Sequence, residues 1–158
     1  MNPSYILLTL LKKSLDVAFM LISINKVYTA LLNAHRKGVK IRILLNFDHC
    51  NSKLTEIRHL MSEGIAVLTY ISMNPGMSSI MHHKFMVKDY SDSDGFVFTG
   101  SLNLTKSAFL NNYEDITFTF NEYVVKAFHN NFEECWNYIQ ADNENLINKT
   151  VLLDANLA

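Results

Sequence analysis

The feature that most restricts the fold is an alternation of strand and helix patterns in the first half of the chain. Residues 15–22 form an apolar run of strand length, broken only by Asp16, as expected of a strand covered on both faces. Residues 26–37 carry Val27, Leu31 and Ala34 at helical spacing, and Gly38 ends that helix. Residues 39–47 alternate, with Val39, Ile41, Ile43 and Leu45 on one face and Lys40 and Arg42 on the other. A second helical pattern over residues 54–63 stops at Gly64, and residues 65–71 read as the next strand. Such a β-α-β-α-β succession requires neighbouring parallel strands joined by crossover helices, which makes the protein α/β.

The second half changes character. Residues 72–80 are rich in Ser, Met, Gly and Pro and read as a loop. Two strands follow closely, residues 84–89 and 96–99, joined by a turn holding Asp92, Asp94 and Gly95. A short helix is predicted from about Asn103, a strand over 115–120, and a long amphipathic helix over 122–140 carrying Phe132 and Trp136. Ahead of all these, residues 4–13 suit a short helix ending in Lys12 and Lys13. The whole of residues 1–158 reads as one domain, with a weakly ordered tail from about residue 141.

Charge is distributed unevenly. Residues 1–110 hold twelve Lys and Arg against seven Asp and Glu, whereas residues 111–158 hold two against eight. A basic body is suited to an anionic ligand, and an acidic C-terminal segment also suits a solvated helix face. The two cysteines, Cys50 and Cys135, have no zinc-ligand spacing and point to a reducing compartment. Lys12, Lys13 and Asp16 interrupt the apolar stretch 5–24, so neither a membrane span nor a signal peptide is expected there.

The chemistry concentrates in residues 81–103. His82, Lys84 and Asp89 follow the spacing His-x-Lys-x4-Asp, and Gly100-Ser101-Leu102-Asn103 comes shortly after. On a strand, residues two apart share a face about 7 Å apart, so His82 and Lys84 can reach one phosphate group together. Asp89 falls on the other face with Phe85 and Val87, which argues for a structural role. The Gly-Ser-Leu-Asn turn offers backbone N–H groups, a hydroxyl and an amide, and Gly100 allows close backbone approach.

These motifs resemble the phospholipase D superfamily, whose HKD signature is matched by His82, Lys84 and Asp89, with Gly100, Ser101 and Asn103 in its companion motif. Met81-His82-His83-Lys84-Phe85, Thr99-Gly100-Ser101-Leu102-Asn103 and Asn112-Tyr113-Glu114 are further similar to the mitochondrial cardiolipin hydrolase or Zucchini branch. The resemblance implies a phospholipase D-like fold, a mixed and mostly parallel sheet with helices on both faces. It implies a phosphodiesterase in which His82 is the nucleophile, passing through a phosphohistidine. Lys84 and Asn103 would stabilise charge, Ser101 and Gly100 would help hold the phosphate, and Glu114 would orient the histidine or be a plain surface carboxylate. No metal and no cofactor are implied. His83, pointing away from His82, is expected to pack.

The motif occurs once. His35-Arg36-Lys37 has Arg42 where an aspartate is needed, and His49, His59 and His129 have no lysine two residues on. A mechanism with two histidines therefore implies a homodimer sharing its active site. The implied substrates are single-stranded RNA, as in piRNA production, or cardiolipin, cleaved to phosphatidic acid. Lys40, Arg42, Lys53, Arg58, Lys88 and Lys106 are candidates for a basic groove, and Met73, Pro75, Met77 and Ile80 for an apolar rim. The branch ordinarily begins with a membrane anchor, a further strand and a Cys/His zinc element. Residues 1–13 read as starting after these, so no anchor is expected in this chain, and a cytosolic location stands beside the mitochondrial outer membrane that the resemblance implies. Two other readings are a catalytically dead module binding nucleic acid or lipid, and a broad-specificity single-motif nuclease.

Overall fold

The computed structural model describes residues 13–72 and 79–155. The strands are β1 (Ser14–Phe19), β2 (Lys40–Asn46), β3 (Ala66–Tyr70), β4 (Lys84–Lys88), β5 (Phe96–Gly100) and β6 (Ile116–Thr119). The helices are α1 (Asn25–Arg36), α2 (Leu54–Ser62), α3 (Lys106–Leu110) and α4 (Glu122–Ala155). The strands form one six-stranded sheet in the order β3-β2-β1-β4-β5-β6.

The two halves of the sheet follow different rules. β1 pairs in parallel with β2, and β2 with β3, because α1 and α2 carry the chain back over the sheet between them. β4 is antiparallel to β1, β5 to β4, and β6 to β5. The sheet is mixed as expected, but its antiparallel share is the larger, because the short turn between β4 and β5 leaves no room for a crossover. The β4–β5 turn needs Gly95, where a Cβ would lie 2.6 Å from the Asp89 carbonyl oxygen.

Alternate residues of each strand feed two apolar layers. Leu15, Val17, Phe19, Ile41, Ile43, Leu45, Met86 and Phe98 pack with Leu31, Ile57 and Leu60 beneath α1 and α2. Ala18, Leu44, Phe85, Val87 and Val97 face Val125, Phe132 and Ile139 of α4. This second layer also holds ions. Asp16, 3 % exposed, accepts from Arg42 Nε at 2.8 Å and meets His129 Nδ1 at 3.0 Å, while Arg42 Nη2 donates to Glu133 at 2.5 Å. Tyr90 stacks on the His129 ring, with centroids 3.4 Å apart. The guanidinium lies 4.9 Å from the Phe132 ring centre, so a charged clamp ties α4 to β1 and β2 within an apolar layer.

Most element boundaries match the sequence reading within two residues, with three differences, the first being that β1 stops at Phe19 rather than at residue 22. The helix expected from about Asn103 starts at Lys106, after a bridge between Ile22 and Leu104 and a cap in which Thr105 Oγ1 accepts from Ala108 N. The last helix does not end near Gln140 but runs to Ala155. The helix predicted over 4–13 lies mostly outside the described residues, as do Met73, Pro75 and Met77 of the proposed rim. Among the described residues no helix is long and apolar enough to cross a membrane.

Candidate active site

The site forms where β1 and β5 end and β4 begins. Phe19 of β1 pairs with Lys84, and Phe85 pairs with Thr99, so the His82 segment and the Gly-Ser-Leu-Asn turn reach the same end of the sheet. Two contacts fix the approach of the chain to His82. The Met81 N–H donates to the buried Asn46 Oδ1 at 3.0 Å, and the Met20 N–H donates to the His83 carbonyl at 2.9 Å. Asn46, 1 % exposed, was not singled out from sequence. It sits at the end of β2, and only the parallel pairing of β2 with β1 brings it under residue 81.

His82 is exposed, while Lys84 is partly buried at the start of β4. Lys84 Nζ lies 3.1 Å from His82 Nε2 and 3.1 Å from the His82 carbonyl oxygen. A protonated amine can only donate, so the contact makes Nε2 the acceptor and leaves the ring proton on Nδ1. The Nε2 lone pair is thus directed at the Lys84 ammonium. Burial lowers the Lys84 pKa below the ordinary lysine value, with the Glu114 carboxylate opposing that shift.

Ser101 and Glu114 are joined. The Ser101 hydroxyl donates to Glu114 Oε2, Asn112 Nδ2 donates to Glu114 Oε1 at 2.9 Å, and these hydrogen bonds hold the carboxyl below the usual range. Among the described residues, Glu114 is hydrogen-bonded to Ser101 and Asn112 and not to His82. The buried Oδ1 of Asn103 has no hydrogen-bond partner among the described residues. An unpaired buried acceptor is costly, and at the rim of a site it is suited to a donor brought by a ligand. Gly100 is required by contact: a Cβ there would lie 2.1 Å from the Asp115 carbonyl oxygen. Gly100→Ala is expected to push β6 away and cost about 1–3 kcal/mol, read as a lower urea midpoint together with lost turnover.

Asp89 stands apart from this group. It lies beyond the far end of β4, five residues from Lys84 and so about 16 Å away. It is fully buried, and Oδ1 accepts from the backbone N–H groups of Lys13 and Ser14, both at 2.8 Å. Lys88 Nζ lies 3.2 Å from its Oδ2. The geometry agrees with a structural role. His83 also packs as expected, edge-on to Phe85 with ring centres 5.3 Å apart and 3.6 Å from Cys135 Sγ. Burial, then the Lys84 ammonium and His82, lower its pKa.

The basic groove expected from sequence is largely dispersed. Lys88 is buried beside Asp89, Arg42 belongs to the clamp under α4, and Lys40 starts β2 at the end of the sheet away from Lys84. Lys53 donates to Asn25 and pairs with Glu56 at 3.1 Å. The fold also gathers a group that sequence spacing did not suggest. Ligand atoms of Asp16, His129 and Glu133 lie within 4.8 Å of one another. Arg42 already binds both carboxylates, so this group is spoken for as an ion-pair network.

Comparison with known proteins places this geometry. Residues 7–136 match the family described as cardiolipin synthase, PLD-like domain. The mitochondrial cardiolipin hydrolase of Xenopus laevis is 36 % identical over 125 residues, covering 79 % of this chain and 55 % of that protein. The human protein of the same name is 32 % identical over 125 residues, covering 79 % of this chain and 46 % of its own length. The chain thus spans about half the length of these curated relatives. Among solved structures, the phospholipase D family member Nuc of Salmonella typhimurium superposes with a TM-score of 0.70 at 24 % identity, covering 85 % of this chain and 84 % of that one. NucT from Helicobacter pylori gives 0.71 at 21 % identity, covering 84 % of each chain. The sequence match over most of the chain and the shared fold establish that this protein belongs to the phospholipase D-like family.

Proposed function

We propose that the protein is a phosphodiesterase that acts through a phosphohistidine at His82, in a site completed by a second copy of the chain. The observation that carries this reading is the 3.1 Å contact between Lys84 Nζ and His82 Nε2, which sets an imidazole nitrogen and a cation where both can meet one phosphate. In the first step Nε2 forms a bond to phosphorus while the bond to the leaving oxygen breaks. That oxygen takes a proton from the partner's His82. In the second step the partner's His82 takes a proton from water, the water oxygen bonds to phosphorus, and the P–N electron pair returns to Nε2. Lys84 offsets negative charge on the non-bridging oxygens, the Asn103 amide N–H group is assigned to the same task, and Ser101, whose proton goes to Glu114, holds that carboxylate in place.

The relatives' names favour cardiolipin as substrate and a mitochondrial association. The nuclease-like architecture and the basic body suit single-stranded RNA, the substrate of a Zucchini-type enzyme. Both are phosphodiesters and both suit the same two-step chemistry. The test is hydrolysis of bis-p-nitrophenyl phosphate, labelled single-stranded RNA and cardiolipin vesicles, each in EDTA. Turnover on at least one substrate in EDTA is expected. A folded dimer inert on all three would leave the chain a binding module.

Lys84 also sets a pH dependence. Catalysis needs the ammonium, so activity is expected to fall as pH rises through the Lys84 pKa, which lies below that of an ordinary lysine. On the small diester, whose nitrophenolate leaves without needing the proton of the partner's His82, the alkaline limb of kcat/KM should therefore come earlier than ordinary lysine titration. Lys84→Arg, charged throughout, should remove that limb from whatever activity remains.

A further inference from the structure

We propose that Asn46 is a positioning residue for the nucleophile, holding the backbone that carries His82, and that His49 fixes the orientation of the Asn46 amide. The inference rests on the phosphodiesterase reading of His82 and names what aims that side chain. His82 stands in residues 79–83, a stretch that belongs to no strand or helix. It is exposed, and among the described residues its ring is hydrogen-bonded only to Lys84. Its placement is therefore left to its two neighbours. Met81 is buried in one layer with Ala18, Leu44 and Phe85, and its N–H donates to Asn46 Oδ1 at 3.0 Å. On the other side, the His83 carbonyl accepts from the Met20 N–H at 2.9 Å.

Asn46 is itself fixed at both ends. It closes β2, opposite Tyr70 of β3, and its N–H faces the Met20 carbonyl at 3.4 Å, while the Cys50 thiol donates to its own carbonyl at 3.1 Å. Its amide can sit only one way round. A backbone N–H only donates, so Oδ1 must face Met81 and Nδ2 must face His49 Nδ1, 2.8 Å away. His49 therefore accepts at Nδ1 and carries its ring proton on Nε2. Turning the amide over would set its NH2 against the Met81 N–H, and the His49 contact opposes that turn. Met20 ties the two anchors together, because its carbonyl faces Asn46 and its N–H holds His83. In-line attack on phosphorus is sensitive to such anchoring, since a misplacement of about 1 Å can cost about 100-fold in rate.

The test is steady-state hydrolysis of bis-p-nitrophenyl phosphate by the full chain, taken per folded molecule, with hydrogen exchange of the Met81 amide followed by NMR. Asn46→Leu, similar in shape but without an acceptor, is expected to lower kcat about 100-fold while KM moves by less than about threefold, because Lys84 and Asn103 still meet the phosphate. Its Met81 amide should exchange about tenfold faster. Asn46→Asp keeps the acceptor and can take a proton from His49 Nδ1 in the other tautomer. It should bring kcat back to within about fivefold of wild type and make Met81 exchange slow again. His49→Leu frees the amide to turn and should lower kcat about fivefold at constant KM. Wild-type kcat in Asn46→Leu would overturn the proposal, and so would a rise in KM in place of the fall in kcat, which would put Asn46 in substrate binding. Should Asn46→Leu fail to fold, a folded Asn46→Asp that has lost its kcat, or His49→Leu at wild-type kcat, would overturn it. An inert wild-type chain would sink the phosphodiesterase reading instead. Met81 exchange that is fast in Asn46→Leu and slow in Asn46→Asp would then still uphold the anchor, and equal exchange in the two would discard it.

Discussion

A one-to-one mixture of wild-type and His82→Asn chains, after subunit exchange, is expected to show about a quarter of the wild-type activity. The figure follows from one His82 acting as nucleophile and the partner's His82 as acid, so that only pairs of two wild-type chains turn over. Chains that work alone would leave half. The variant alone should lose on the order of 10⁴-fold or more in kcat, as when a nucleophile and its proton carrier are removed together. Asparagine is close in size and its Oδ1 can accept from Lys84, and His82 is exposed, so the thermal midpoint should stay within a few degrees. A quarter of the activity with an unchanged midpoint, together with a dimer by light scattering, would establish both the histidine and its sharing. Activity of one half would retain the nucleophile and discard the shared site.

The second large effect concerns stability. Asp89→Ala is expected to cost about 3–5 kcal/mol, lowering the melting temperature by about 10 °C. Three groups lose a partner at once: the Lys13 and Ser14 backbone N–H groups and the buried Lys88 ammonium, which keeps the more distant Asp94 carboxylate at 3.8 Å. The backbone adds to the cost, because Asp89 has φ of 44°, a left-handed conformation that alanine adopts poorly and asparagine tolerates. Asp89→Asn should therefore cost less, about 2 kcal/mol, since it keeps an acceptor for the N–H groups and loses only the charge opposite Lys88.

The pH dependence distinguishes charge from shape. Burial opposes ionisation of Asp89, but the Ser14 and Lys13 N–H groups and the Lys88 ammonium prevail and hold its pKa below the ordinary aspartate value. A depressed folded-state pKa contributes stability that is fully present above the unfolded value, near 3.9, and is lost as pH falls through the folded one. The gap between wild type and Asp89→Asn should hold from neutral pH to about pH 4 and close below it. A gap that is flat down to pH 2 would show that packing, not charge, is what the substitution removes. Because Asp89 is remote from His82, the folded fraction of Asp89→Asn should turn over normally. A conserved kcat in that variant would set Asp89 apart from His82 and Lys84 in function as it is in space.

Period and spacing made much of this legible. The alternation of Ile41, Ile43 and Leu45, and the helical spacing of Val27 and Leu31, are local patterns that survive folding because each depends only on near neighbours along the chain. The His82–Lys84 pair was legible for the same reason: two residues apart in an extended segment share a face in any sheet. Parity likewise placed Asp89 away from the site and His83 among packed side chains. Ser101, Asn103 and Glu114 were marked by their motifs, although the partners of Glu114 needed coordinates.

What the sequence by itself determined, then, is a strand-and-helix order, a histidine and lysine on one face, and a Gly-Ser-Leu-Asn turn. What only the tertiary structure decided are the relations between segments far apart in the chain. Asn46 reaches the Met81 N–H across 35 residues, Asp16 meets His129 across 113, and Lys26 and Lys106 come to line one cavity. Arg42 is taken out of the expected basic groove by Asp16 and Glu133, which are brought to it only when the sheet and α4 assemble, and Lys88 by its own neighbour Asp89 as the end of β4 is buried. Contacts of this kind are fixed by strand order and register, and those are settled by burial summed over the whole sheet rather than by any local stretch of residues.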